Sequence, residues 1–187
     1  MKKIAISALD TLCAAMRAQS KLYIPADDRT GQARFTPWEA GLVLSERLNT
    51  AQSPKGLFFP QVENLVDFKM TGKEIEILEN REKVEDFIVF GVRACDCRSF
   101  AILDRVFLSE PVDGYYRDRR EHGILVTMAC SAPEETCFCG VFGIDPAEPG
   151  GDVACWKWED TLYLRANTEK GEKLLAALPL ADAADAD

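Results

Sequence analysis

The sequence contains a single histidine, His122, among 187 residues. A Cys–His nucleophilic pair would have to be built on that one residue, which lies in a charged stretch before an apolar run, so stand-alone thiol catalysis is disfavoured. Glycine-rich phosphate loops of Rossmann or Walker spacing are missing too, which removes the usual signal for dinucleotides and nucleoside triphosphates. No run approaches the ~20 consecutive apolar residues that a bilayer-spanning helix requires. Basic charge is short: 22 Lys and Arg stand against 31 Asp and Glu, for a net charge of −9. Polyanions are bound through the opposite balance, so neither a nucleic-acid partner nor membrane insertion is expected. The C-x2-C knuckle of zinc ribbons is also missing, as is any internal repeat.

Cysteine is what the chain has in quantity, with seven residues. The hydrophobic fraction of 47% and charged fraction of 28% are those of an ordinary globular protein. A chain of this length buries a full core and needs no disulfides to fold. At the N-terminus Lys2 and Lys3 precede an apolar stretch, but Asp10 and Arg17 interrupt it. Ile4, Ala8, Leu9, Leu12 and Met16 recur at intervals of three and four, which predicts an amphipathic helix rather than a signal peptide. The expected location is cytoplasmic, where thiols stay reduced, and an odd cysteine count fits poorly with a disulfide framework.

Further along, residues 21–37 read as short extended pieces between Pro, Gly and Asp turns. Two prolines bracket a short apolar strand in Ser53–Pro60, followed by a helical turn or loop at Glu63 and Leu65. Lys73–Leu78 alternates as a strand with one wet face. Asp86–Gly91 is a continuous apolar run, predicting a strand buried on both faces. Asp96 is placed to cap a helix from about Arg98 to Phe107, with Phe100, Ile102, Leu103, Val106 and Phe107 on its apolar side. A charged connection, YYRDRREHG, leads into a second buried strand at Gly123–Ala129. Residues 140–151 read as loop, Leu162–Arg165 as a short strand, and Thr168 as the cap of a helix from Glu169 to about Leu178.

The fold class expected is α/β, a mixed sheet with a central parallel β–α–β unit and a β-rich N-terminal part. In such a unit Cys95 and Cys130 lie just beyond the carboxyl ends of adjacent strands, the edge where open α/β sheets place ligands. Cys137 and Cys139 follow after the short segment SAPEET, which is able to return to that edge. Four convergent thiolates select zinc or an iron–sulfur cluster. A cubane takes ligands at separate irons, so widely placed thiolates suit it better than one tetrahedral ion. Cys13 and Cys155 read as packing, because free cysteine is a small and frequently buried hydrophobe. Cys97 stays ambiguous between ligand and helix packing, and His122 reads as a surface residue.

The string Phe90-Gly-Val-Arg-Ala-Cys-Asp96, then Ala101-Ile-Leu-Asp-Arg-Val-Phe107, Cys130 and Cys137-Phe-Cys139 resembles a known family. It is similar to the iron–sulfur electron-transfer subunits typified by that of anaerobic sulfite reductase and by the sulfhydrogenase beta subunit. Ser53-Pro-Lys-Gly-Leu-Phe-Phe-Pro60 with Glu63 is similar to the family's Pro-Lys…Pro-x-x-Glu segment. The resemblance implies an iron–sulfur electron-transfer subunit of a multi-subunit anaerobic redox complex (hydrogenase, sulfite reductase or heterodisulfide-reductase-like). Its partners would be flavoprotein, ferredoxin-like or hydrogenase-type subunits, with no catalytic activity expected of the chain alone. It also implies one [4Fe–4S] cluster held by Cys95, Cys130, Cys137 and Cys139, with Gly91 and Arg93 flanking it and Arg93 offsetting its charge. The alternative is a non-redox adaptor binding zinc or no metal. The expected organisation is one domain over 1–180, with a β-rich portion at 1–80, a cysteine-bearing α/β portion at 81–180, and a disordered tail at 181–187. Relatives of this kind commonly continue into two C-x2-C-x2-C-x3-C-P runs, which this sequence lacks, and they more often have an apolar residue at the position of Cys97.

Overall fold

In the computed structural model, which describes residues 1–78 and 83–184, an eight-stranded mixed sheet organises the chain. Strand β1 (Lys2–Ala5) leads through a 3-10 turn into helix α1 (Leu9–Gln19). The amphipathic helix expected from the first residues therefore starts later. Lys2–Ala5 pair antiparallel with Leu164–Thr161, a long-range ladder that overrides local periodicity. Leu12, Cys13 and Met16 are the buried residues of α1, at the spacing one helix face provides.

Strands β2 (Lys21–Asp27) and β3 (Ala33–Pro37) form an antiparallel hairpin. Asp28 holds its turn, accepting hydrogen bonds from the Thr30 hydroxyl and from the backbone N–H groups of Thr30 and Gln32. Residues 54–57 form a 3-10 turn and not the expected strand. Proline opens that turn and the Ser53 hydroxyl accepts from the Lys55 N–H, both helix-start signals that outweigh a short apolar run. Strands β4 (Asp67–Thr71) and β5 (Glu74–Leu78) make a separate two-stranded hairpin. The expectation of one wet face needs correction, because all five residues of β5 are exposed.

The second half begins with β6 (Phe87–Val92), every residue of which is buried, and α2 (Ala94–Phe107). On α2 the apolar side is narrower than expected: Phe100 is buried, whereas Ile102 and Val106 are exposed. The charged connection is in fact helix α3 (Gly114–His122), started by Asp113, whose carboxylate accepts from the Tyr115 and Tyr116 N–H groups. Its polar composition hid the helix, which is anchored by a single buried ring, Tyr116, donating to Asp104 at 2.7 Å. Strand β7 (Gly123–Met128) follows, then β8 (Val153–Trp158), β9 (Thr161–Ala166), α4 (Glu169–Ala176) and β10 (Ala181–Asp182). The Thr168 hydroxyl accepts from the Gly171 N–H, as a helix cap does.

Strand order is β10-β1-β9-β8-β7-β6-β2-β3. The middle pairs β2–β6, β6–β7 and β7–β8 are parallel, and antiparallel strands flank them on both sides. This is the mixed α/β sheet with a central parallel unit. Strand β8 escaped the sequence reading because its buried run, Val153–Cys155, is only three residues long. Ala181 and Asp182 pair with Lys3 and Lys2, so the first part of the expected tail is ordered by β1; residues 185–187 lie outside the described residues.

The sheet is covered on both faces. Leu12 and Met16 of α1 and Leu174 and Leu175 of α4 pack with Ile88, Phe90 and Val126. Phe100 of α2, Tyr116 of α3 and Phe58 pack with Phe87, Val89 and Leu125. The alternation Phe87, Val89 against Ile88, Phe90 is the period-two pattern of a strand with a core on each side.

Candidate metal centre

Strand β6 leaves the sheet through a bulge. Phe90 pairs with Val126 and Val92 with Thr127, so two residues on β6 oppose one on β7. Gly91 takes φ +89° there, and a Cβ at this position would stand 2.9 Å from Cδ of Pro25. Glycine meets both requirements, which gives this part of the Gly-Val-Arg-Ala-Cys-Asp motif a structural reason.

Arg93 then takes the N-cap position and α2 starts at Ala94, four residues earlier than expected. Cys95 consequently sits in the first helical turn. Asp96 is inside that turn rather than capping it; its carboxylate accepts a short hydrogen bond from the Ser53 hydroxyl. This contact ties the Pro54–Leu57 turn to the start of α2. Glu63, from the same upstream motif, instead forms an ion pair with Arg119 at 2.6 Å.

Strand β7 delivers Cys130 to the same edge. The Ala129 N–H donates to the Cys155 carbonyl and the Cys130 N–H to the Pro146 carbonyl, both at 2.9 Å. Beyond Cys130 the chain turns back: the Cys137 N–H donates to the Glu134 carbonyl at 2.9 Å. A 3-10 turn over Cys139–Phe142 ends at Gly143, in the left-handed region at φ +60°. The Ile144 N–H then donates to the Cys139 carbonyl at 3.0 Å. The far side of the loop is held by the Thr127 hydroxyl bonded to the Gly150 carbonyl and by Trp156 Nε1 donating to the Ala147 carbonyl at 2.7 Å.

These segments enclose a cavity of about 340 Å3 whose wall includes Cys95, Cys130, Cys137, Cys139, Arg93 and Phe138. Four cysteines, one from the first turn of α2, one just beyond β7 and two from the loop that follows, thus line one space. Burial pushes the thiols of Cys95 and Cys130 up. For Cys95 the Asp96 carboxylate adds to this rise, whereas for Cys130 the guanidinium of Arg93 draws the value back. Arg93 also donates to the Ala129 carbonyl at 3.2 Å, which holds its charge beside Cys130.

Among the described residues no three His, Cys, Asp or Glu side chains form a group that could hold a single metal ion. The four cysteines are residues of one cavity lining. A four-iron cubane offers a separate ligand position at each iron, and a donor set made only of thiols is chemically suited to it.

The other cysteines separate clearly. The thiol of Cys97 is turned away from the cavity wall toward Gly150 and Gly151, and the Gly151 backbone N–H bonds to it; it packs with the core around Phe58 and Phe100. Cys13 and Cys155 are buried in the other core. Burial pushes the Cys13 thiol up to about 12 and that of Cys155 higher still. His122 belongs to α3, with Nδ1 2.6 Å from the Asp86 carboxylate. The Ser53–Asp96 contact has no counterpart in the sequence reading; the only signal for it is a serine before Pro-Lys, which does not name its distant partner.

No protein-family profile and no solved structure matches the chain. Over 108 residues, 58% of its length, the chain is 35% identical to sulfhydrogenase 2 subunit beta of Pyrococcus furiosus. The match covers 31% of that relative, so the chain spans about a third of the length of the curated protein it matches. Over that part of its length the chain is thus similar to a sulfhydrogenase beta subunit.

Proposed function

We propose that Cys95, Cys130, Cys137 and Cys139 hold one [4Fe–4S] cluster and that the chain is an electron-transfer subunit of a multi-subunit anaerobic redox complex. The hydrogenase type is favoured by the likeness to a sulfhydrogenase subunit; the partner would be a flavoprotein, ferredoxin-like or hydrogenase-type subunit. The observation that carries the proposal is that four cysteines line one cavity.

Bound there, a cluster would accept and return one electron. The chain's own residues do the rest. The four cysteines supply thiolate ligands from three separate segments, so the sheet edge and the return loop are held together by what they bind. Arg93 and the N-terminal end of α2 place positive charge beside the thiolates, lowering the cost of gathering negative charge in a half-buried space. Phe138 supplies apolar wall on one side.

The test is anaerobic purification followed by reconstitution with iron and sulfide. About four irons and four sulfides per chain, with an EPR signal appearing on dithionite reduction, are expected for a cubane. Stoichiometric zinc with no response to dithionite would replace this reading with that of a structural adaptor.

A further inference from the structure

The loop that carries three of the cavity cysteines has a second property. From Cys130 to Asp152 it contains Glu134, Glu135, Asp145, Glu148 and Asp152 but no Lys, Arg or His. Asp152 is buried, where it accepts from the Leu125 N–H and the Thr168 hydroxyl, and Glu148 is paired with Arg165. Among the described residues Glu134, Glu135 and Asp145 have no salt-bridge partner, and all three are exposed. Between them stand Phe138, Val141 and Phe142, exposed by 62%, 81% and 64%. The rings of Phe138 and Phe142 lie 5.6 Å apart and form one apolar patch. Phe138 is also cavity wall, so the patch is the outer surface of the site itself.

An apolar centre within a polar rim is the anatomy of a protein interface. Here the charged residues that the loop itself supplies have one sign, and Arg93 is the cation on the cavity wall behind them. We propose that Phe138, Val141 and Phe142, with Glu134, Glu135 and Asp145 around them, form the face through which electrons pass to or from a redox protein whose own docking face is apolar with a Lys/Arg rim. The inference rests on the cluster assignment for the electron, but the docking face stands on exposure and charge. Opposite rim charge steers the encounter, and apolar contact excludes water where the site is closest to the surface.

The test uses the anaerobically purified protein and two forms of one probe: a lysine-rich c-type cytochrome, and the same cytochrome with its lysines acetylated. After dithionite reduction, stopped-flow measurement should show the native cytochrome reduced at least about tenfold faster at low salt. The two rates should converge as salt shortens the screening length to about 3 Å near 1 M. Glu135→Lys and Val141→Lys should each slow the native cytochrome about tenfold without changing iron content or the EPR signal. Equal rates for the two cytochromes, or unchanged rates in both variants, would overturn the proposal.

Hydrogen exchange with and without the native cytochrome is scored on the same preparation, whether or not iron is bound. Protection within residues 134–145 supports the face. Protection on the exposed hairpin of β4 and β5 instead, or none, sinks it. A protein with no iron that still shows protection at 134–145 would overturn the cluster assignment alone.

Discussion

The cysteines around the cavity beyond the parallel strands and those in the packed core are chemically identical, yet the fold sorts them into two populations. Cys13 and Cys155 are surrounded by Leu, Ile and Met side chains, and no charged group is needed to keep them as thiols. Cys95, Cys130, Cys137 and Cys139 line an open cavity with a guanidinium beside them. The first population behaves as small hydrophobes. The second lies at the edge where successive loops leave the sheet, which is where open α/β sheets place ligands. Sequence position relative to a strand decides which: Cys155 lies within β8, whereas Cys130 lies two residues beyond the end of β7.

The largest effect expected is on bound iron. Cys130→Ser should abolish cluster assembly, measured as iron per chain, while the circular dichroism spectrum stays that of the parent. A Cys130→Ser protein with full iron would dissolve the distinction between the two populations.

Next comes the bulge that aims Cys95. Gly91→Ala would force an L-residue at φ +89° against Pro25 and should cost about 3 kcal/mol in urea unfolding, from strain and overpacking together. Iron content should fall as well, since the start of α2 moves with the bulge.

Cys155→Ser tests the other population. A hydroxyl at this fully buried position has no designed partner, so stability should drop by about 2 kcal/mol. Iron binding should stay at the parental level; a loss of iron in a folded protein would count against purely structural burial.

Cys97, two residues from Cys95, is the sharper discriminator. Because its thiol faces Gly150 and Gly151 rather than the cavity, Cys97→Ala should cost about 1 kcal/mol and leave iron and EPR unchanged. Loss of the cluster in that variant would show that Cys97 is a ligand.

The smallest effect is on alkaline stability. The Cys13 thiol is raised from 9.0 to about 12 in the fold, so the unfolded chain loses this proton first as pH rises. The stabilisation is complete below about pH 9 and is lost on the way to about pH 12. Cys13→Ala should flatten this part of the stability–pH curve, read by urea titrations between pH 8 and pH 10. An unchanged slope would mean that Cys13 is less buried than its position in the core implies.

Much of the middle of the chain was legible from residues alone. Phe87–Val92 and Gly123–Met128 are continuous apolar runs bounded by polar residues, and such runs have few alternatives to a buried strand. From them followed the parallel pair and the neighbourhood of Cys95 and Cys130. Four elements were not legible, each for a physical reason; in β8 the buried run, Val153–Cys155, is too short to stand out. Helix α3 has almost no apolar stripe and rests on its Asp113 cap and on Tyr116. Strand β1 carries a helical period and is overruled by pairing with β9. Strand β10 is two residues long and exists through its ladder to β1.

What the sequence by itself determined is the chemistry available: thiols in number, one histidine, a net negative charge and two strands that must be buried. A residue type carries its own ligand softness and charge, and a buried strand carries its own pattern, so neither needs distant contacts. Only the tertiary structure decided that Cys97 turns away, that Arg93 lies beside Cys130, and that Phe138 and Phe142 stay largely exposed. Those outcomes depend on where loops land after leaving the sheet. That is set by a bulge at Gly91, a left-handed Gly143 and hydrogen bonds between residues far apart, none of which a local pattern records.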